Sequence, residues 1–369
     1  MKEKLRVRLH GAFEVENFGD ILLAKIFANW VQEAGGIPVG TSVPAYLQSE
    51  LDLATSTKAD VAGVIMIGGG YLGEPPRSLV GRWFWGEKLR HRHLAVMRAA
   101  KQAGLPYCIT GVGFGPITNL LARREAVQLM SNATSVTFRD NESMDYASKY
   151  GFGQGSLSAD AALSLRDLPL SLQATQERDR IAPKDGRRLV LVQLDRSLLT
   201  REGQFLERQL SRQLARDDLK VVGISDQRGT EVSNGHKVCF EKVQSKLRDA
   251  EFLPYDGVEK LIGRISAADL VITSKLHLGI VATALGKRVI SFPTHSKTQR
   301  FYRQIGRENI CLPLLQCTDQ KVDDLLAHGL GLIGSPPERF PENILELSRE
   351  NANQIRGFMR RIILDTRGR

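Results

Sequence analysis

The run Asp269-Leu270-Val271-Ile272-Thr273-Ser274-Lys275-Leu276-His277 brings a cation and an imidazole to the end of a buried-strand pattern. Its apolar residues need a sheet interior, so the charged pair is expected at the strand's carboxyl end, where open α/β sheets place their ligands. The small-residue stretch 278–286 reads as a helix, which sets His277 near a positive helix end suited to anions. A second strand, 288–293, runs into His295-Ser296-Lys297. Two strand ends thus present Lys275 with His277 and His295 with Lys297, a pattern for binding a small anion and moving a proton. Arg196, just after a strand over 189–194, is a candidate further grip on the anion; the competing reading is a surface pair with Asp195, or solvent.

The elements that must carry these residues alternate along the chain. Strands are expected over 5–9, 62–67, 107–110 and 136–138, with helices over 21–34, 94–103 and 142–149. Such alternation implies a parallel sheet covered on both faces. Residues 166–187 are polar, with prolines at 169 and 183, and read as a linker. A second series follows: strand 189–194, helix 202–215, strand 219–224 and helix 258–265. A long basic amphipathic helix is expected over about 342–363. The expectation is an α/β protein of two Rossmann-like domains facing across a cleft, GT-B-like, with a C-terminal helix. Its divisions are 1–165, a linker at 166–187, a second domain at 188–335, and a helical tail at 336–369 packing back on the first domain.

Gly68-Gly69-Gly70, after strand 62–67, would let backbone amides approach a ligand. The run lacks the acidic residue of a dinucleotide fingerprint and the Lys-Ser or Lys-Thr of a phosphate loop. A tight turn is the competing reading. Asp20 sits where it could cap the helix from 21 onward. Arg139-Asp140 stands at a strand end, where the alternatives are a surface ion pair or a ligand-facing cation.

Five blocks in order resemble the polysaccharide pyruvyl transferase family. They are Asn17-Phe18-Gly19-Asp20, the segment from Ile67 through the glycines to Tyr71 and Gly73, Gly111-Val112-Gly113-Phe114-Gly115-Pro116, Thr137-Phe138-Arg139-Asp140, and the strand ending at Lys275 and His277. The family usually carries Arg two residues before the His. Lys275 keeps the charge there and loses the planar fork that grips phosphate or carboxylate at two points. The resemblance implies transfer of the pyruvyl group of phosphoenolpyruvate to a saccharide, forming a pyruvate ketal. It implies phosphoenolpyruvate as co-substrate, no other cofactor and no metal. It makes His277 catalytic, with Lys275, Lys297, Arg196 and His295 on the donor. Asn17, Gly19, Asp20, Gly68, Gly69, Gly70, Tyr71 and Arg139 would line the cleft or the acceptor side, which the N-terminal domain would supply. The acceptor is a polysaccharide unit or its lipid-linked precursor. A nucleotide-sugar glycosyltransferase, or a non-catalytic glycan-assembly protein, would use the same fold.

Composition agrees with a globular chain: 369 residues, 42% hydrophobic and 25% charged. The net charge of +10 suits acidic substrates or an anionic membrane face, and the basic residues show no nucleic-acid-binding motif. The N-terminus lacks the apolar core of a signal peptide, so the expected place is the cytoplasm, with peripheral contact at the inner membrane face as a further expectation. Cys108, Cys239, Cys311 and Cys317 are scattered and read as free thiols. Oligomeric state is left open.

Overall fold

The computed structural model describes residues 4–13, 16–40, 48, 50, 51, 53–55, 61–74, 79–336 and 339–367. They divide into two compact units. The N-terminal unit holds the described residues up to 13, residues 20–161 and the C-terminal helix; residues 16–19 belong with the C-terminal unit.

The chain opens with β1 (Arg6–His10), α1 (Phe18–Glu33), β2 (Ile37–Gly40), β3 (Ala54–Thr55), β4 (Gly63–Met66) and β5 (Gly69–Leu72). Helix α2 (Leu79–Leu89) passes through a π-helical turn, Arg90–Leu94, into α3 (Ala95–Gln102). Then come β6 (Tyr107–Phe114), α4 (Leu120–Met130), β7 (Val136–Phe138), α5 (Asn141–Lys149) and β8 (Ser156–Leu157). The sheet is parallel, in the order β3-β2-β1-β4-β6-β7-β8, with β5 paired to β6 off that path. The central strands β4, β6 and β7 are buried along their whole length, as strands of a parallel sheet covered on both faces are. Order reverses beside β1, so the carboxyl ends of β1 and β4 frame this unit's switch point.

Gly68 to Gly70 form no open loop: Gly69 begins β5, which lies against β6 with Gly69 opposite Val112 and Leu72 opposite Phe114. Glycine is needed here for close backbone approach. A β-carbon on Gly68 would stand 3.2 Å from the Gly111 carbonyl oxygen, and one on Gly73 would stand 2.7 Å from that of Gly115. Strand β6 likewise runs past Gly111, where the sequence pattern had ended it.

The C-terminal unit contains α6 (Leu172–Ile181), β9 (Arg188–Gln193), α7 (Arg201–Gln213), β10 (Leu219–Ile224), α8 (Thr230–Gln244), β11 (Glu251–Leu253) and α9 (Val258–Ala267). It continues with β12 (Leu270–Thr273), α10 (Leu276–Ala284), β13 (Arg288–Ser291), α11 (Ser296–Gln304) and α12 (Asp319–Gly331). Its parallel sheet has the order β11-β10-β9-β12-β13, the doubly wound pattern with its switch point between β9 and β12. Both units are therefore Rossmann-like.

The stretch 166–187 is not the bare linker its polarity predicts. Helix α6 buries Ala174, Glu177 and Ile181, and a β-carbon on Gly263 of α9 would collide with the Ala174 carbonyl. The buried Glu177 is held by Arg264 Nε at 2.7 Å and Arg180 Nε at 2.7 Å, so a charged sequence becomes a packed helix. Helix α13 (Glu342–Arg367) packs in the N-terminal unit, burying Ile355, Phe358, Met359 and Ile362. Asn351 Nδ2 donates to the Ala159 carbonyl at 2.8 Å, and Ser348 Oγ to that of Asp160 at 3.0 Å. No described helix is long and apolar enough to cross a membrane.

Candidate functional site

The C-terminal unit gathers its polar side chains at the carboxyl ends of β9, β10, β12 and β13. Gln193 ends β9 fully buried; its Oε1 accepts from Thr273 Oγ1 at 3.0 Å and from the Ser274 amide at 3.2 Å. Thr273 Oγ1 in turn accepts the Lys275 amide at 2.9 Å. These bonds turn the chain sharply out of β12 and present Ser274 and Lys275 at the switch point. Asp195 lies beside them, with Oδ2 accepting from Ser274 Oγ at 2.8 Å and standing 3.8 Å from Lys275 Nζ. Burial works against its charge, but Lys275 and hydrogen bonds from Ser197 and Ser274 hold the carboxyl below its usual range.

Helix α10 starts directly after Lys275, with His277 in its first turn and no acidic residue there. Helix α11 repeats the arrangement: His295 precedes it, Lys297 is in its first turn, and again no acid is present. Helix starts carry positive partial charge and normally attract Asp or Glu. Here two of them are loaded with cations and imidazoles instead, which leaves a positive field that an anion would satisfy. Surrounding protein, then Lys297 and Lys275, push the His295 imidazole below its ordinary pKa. His295 and Lys297 are exposed; Lys275 and His277 are half-buried.

His277 is fixed by a residue far away in sequence. A β-carbon on Gly19 would overlap the imidazole ring, so only glycine at 19 admits the ring in this position. Residues 16–19 reach His277's unit through backbone bonds to the loop after β10. The Phe18 amide donates to the Asp226 carbonyl at 2.8 Å, the Arg228 amide to Glu16 at 3.1 Å, and Asn17 bridges Gln227. On helix α8, which follows that loop, buried His236 has Nδ1 2.9 Å from Ser225 Oγ and 3.7 Å from Asp226 Oδ1. Burial lowers its pKa, Asp226 opposes that shift, and Lys275 adds to it.

The remaining predicted residues fall elsewhere. Arg196 is 64% exposed, lies over Gly235 and pairs with Glu231 at 3.6 Å; Asp195 serves Lys275 instead. Arg139 is buried, its guanidinium against Gly113, with Asp160 at 3.4 Å and Asp140 at 3.5 Å. That makes it an internal ion pair rather than a cleft-lining cation. Asn17 and Gly19 fold with the C-terminal unit and not with the N-terminal acceptor domain in which the sequence reading places them.

In the N-terminal unit, Tyr71 is buried and donates to the Ile67 carbonyl at 2.6 Å. Its ring lies 4.6 Å from that of His93, and His93 Nδ1 is 3.0 Å from His10 Nε2. His10 ends β1, at this unit's switch point. Burial, His93 and Arg8 lower His10 to about 3; burial and Arg92 lower His93 to about 4. Burial raises the Tyr71 phenol, and the nearby Asp20 carboxylate adds to the shift. His93 lies on the π-helical turn, a place no periodicity in the sequence marks. Asp195, His236 and His93 were missed as site residues; for Asp195, its position at a strand end was the available signal.

This pairing of doubly wound units is the GT-B-like class of fold, and solved structures agree. The UDP-GlcNAc 2-epimerase of Methanocaldococcus jannaschii matches with TM-score 0.62 at 10% identity, covering 92% of this chain and 95% of that one. The Neisseria meningitidis UDP-GlcNAc 2-epimerase, bound to UDP-GlcNAc, matches with TM-score 0.59 at 10% identity, covering 98% and 100%. Anabaena HepE in complex with UDP gives 0.55 at 12% identity, covering 99% and 100%. No curated protein matches. The family model for polysaccharide pyruvyl transferase matches residues 17–296, and the chain belongs to that family.

Proposed function

We propose that the chain transfers the three-carbon unit of phosphoenolpyruvate to two hydroxyls of a saccharide, releasing phosphate and forming a cyclic pyruvate ketal. The observation that carries the reading is the pair of helix starts at α10 and α11, loaded with Lys275, His277, His295 and Lys297 and lacking first-turn acids. A donor bearing both phosphate and carboxylate needs several cations, and charge-assisted hydrogen bonds are the strong ones. Lys275 and Lys297 hold it, with Arg196 at the exposed margin.

The chemistry balances without oxidation. A proton adds to the methylene carbon of the donor, leaving positive charge at the central carbon. One sugar hydroxyl adds there and gives up its proton. The bond to phosphate breaks with the electron pair leaving on oxygen, and the second hydroxyl closes the ring with loss of its proton. His277, the imidazole in the first turn of α10 beside Lys275, moves the proton. Gly19 lets it stand where it does, and Asp195 positions Lys275. In this reading Asn17 and Gly19 serve the donor unit, while Asp20 and Tyr71 belong to the saccharide side. The acceptor is a polysaccharide unit or its lipid-linked form, and the proposed place is the cytoplasm, with peripheral contact at the inner membrane face where the acceptor is lipid-linked.

A nucleotide sugar is the competing donor, because structural neighbours were solved with UDP and UDP-GlcNAc. Calorimetry with phosphoenolpyruvate and with UDP-GlcNAc separates the two. Saturable phosphoenolpyruvate binding that weakens at least tenfold in Lys275→Ala supports the proposal; binding of UDP-GlcNAc alone refutes it.

A further inference from the structure

The C-terminal unit has a cavity of about 220 Å³ at the opposite edge of its sheet, where β12 and β13 begin. Five cations surround it: Arg166, Lys287, Arg288, Arg307 and Arg339. Among the described residues, none lining it carries a carboxylate. Among the described residues, Arg166, Lys287, Arg288 and Arg339 make no ion pair at all. Arg288 Nη2 donates to the carbonyls of Ser335 at 2.8 Å and Pro336 at 3.0 Å, which orients it without neutralising it. Arg307 Nη2 donates to the Arg339 carbonyl at 3.1 Å. The guanidiniums of Arg166 and Arg307 each stand 5.9 Å from the Phe340 ring, so two arginines are held on one aromatic. Asp269, whose charge acts on Lys287, also accepts the Leu189 amide at 2.8 Å and lies 3.5 Å from Arg188. Burial lowers the Lys287 pKa, Asp269 opposes that shift, and Arg178 adds to it.

Like charges are not gathered round a hollow without cost, and surface arginines usually point to water or pair. The floor beneath them is apolar, formed by Leu270, Ile290 and Leu325. The volume is below the roughly 300 Å³ at which pockets for nucleotides and similar ligands begin. We infer that this cavity is a second anion site, distinct from the α10 and α11 helix starts, and that it takes a single phosphate group attached to a short apolar moiety. Planar guanidiniums suit the oxygens, and the floor suits the apolar part. The inference stands on this cavity alone and does not depend on the donor assigned above.

Such a phosphate could be a lipid headgroup or a free phosphate, and the test distinguishes them. The full chain would be titrated calorimetrically with dihexanoyl phosphatidate and separately with inorganic phosphate. The titrations would be repeated for Arg166→Gln/Lys287→Gln, for the exposed Arg339→Glu, whose side chain packs in no core, and for Lys297→Ala at the other edge. The expected result is one-site phosphatidate binding, at least tenfold weaker in the first two variants and unchanged in Lys297→Ala, with inorganic phosphate at least tenfold weaker than phosphatidate. Equal binding of inorganic phosphate, with the same variant dependence, would keep the anion site and overturn the apolar part of the inference. No saturable binding of either probe, or binding indifferent to both cavity variants, would overturn the whole.

Discussion

Replacing Gly19 with alanine tests how His277 is positioned. The added methyl would overlap three imidazole atoms, Nδ1, Cγ and Cε1. Either the ring leaves its rotamer or the backbone of α1 shifts. Overpacking of this kind costs about 1–3 kcal/mol. Alanine also gains up to about 1 kcal/mol over glycine in a helix, which partly masks the loss. The clean quantity is therefore a double-mutant cycle in urea unfolding. Gly19→Ala should destabilise the native protein, yet be neutral or slightly stabilising in a His277→Ala background, giving a coupling of about 1–3 kcal/mol. Phosphate release by Gly19→Ala should fall at least tenfold, because the displaced ring no longer meets the donor. Strict additivity of the two substitutions in the unfolding data would refute the contact as the reason for glycine at 19.

Three other outcomes follow from the geometry. Lys275→Arg should tighten phosphoenolpyruvate binding severalfold, about 1 kcal/mol, through a bidentate grip, while Lys275→Ala should weaken it by tenfold or more; calorimetry that finds neither change removes Lys275 from the donor site. His10 and His93 have folded pKa values lowered to about 3 and about 4, so the unfolded chain binds more protons below its own pKa near 6.5 and stability must fall as pH drops below that point. At pH 5 the loss is about 2 kcal/mol per histidine, and denaturation of His10→Gln/His93→Gln across pH 5–7 should show a correspondingly flatter dependence. Glu177 behaves oppositely in origin: its arginine partners Arg180 and Arg264, working against burial, lower it to about 2. Its contribution is present above about pH 4.5 and lost as pH falls toward 2, and Glu177→Gln at neutral pH should cost about 3–5 kcal/mol by leaving Arg264 buried without a counter-charge.

The two alternating series and the strand end before Lys275 were legible because continuous Val, Leu and Ile runs between turn signals suit a sheet covered on both faces. What misled was local chemistry overruled by packing. Polarity marks 166–187 as a linker, yet Arg264, a distant residue, makes Glu177 buriable and α6 foldable. Three glycines look like a loop, yet two of them open β5, which pairs with β6 and is flanked at Gly68 and Gly73 by close approaches of the β6 backbone and the residue after it. Arg139 at a strand end looks ligand-facing, and Asp160 draws it inside. The pairing of Asp195 with Lys275 spans eighty positions, and the meeting of Gly19 with His277 spans far more. No spacing rule encodes such partners. The motif blocks carried Gly19 and His277 only as members of an ordered set, without saying which block touches which, and Asp195 lies in none of them.

The central claim is tested most directly by phosphate release from phosphoenolpyruvate, measured with galactose-, glucose- and N-acetylmannosamine-containing acceptors beside His277→Ala. The account predicts release that depends on acceptor, matched mole for mole by ketal formation, and abolished in the variant. Release at the same rate in His277→Ala would contradict the role of that residue. Turnover of a nucleotide sugar by the same preparation, with phosphoenolpyruvate inert across the panel, would contradict the reaction itself.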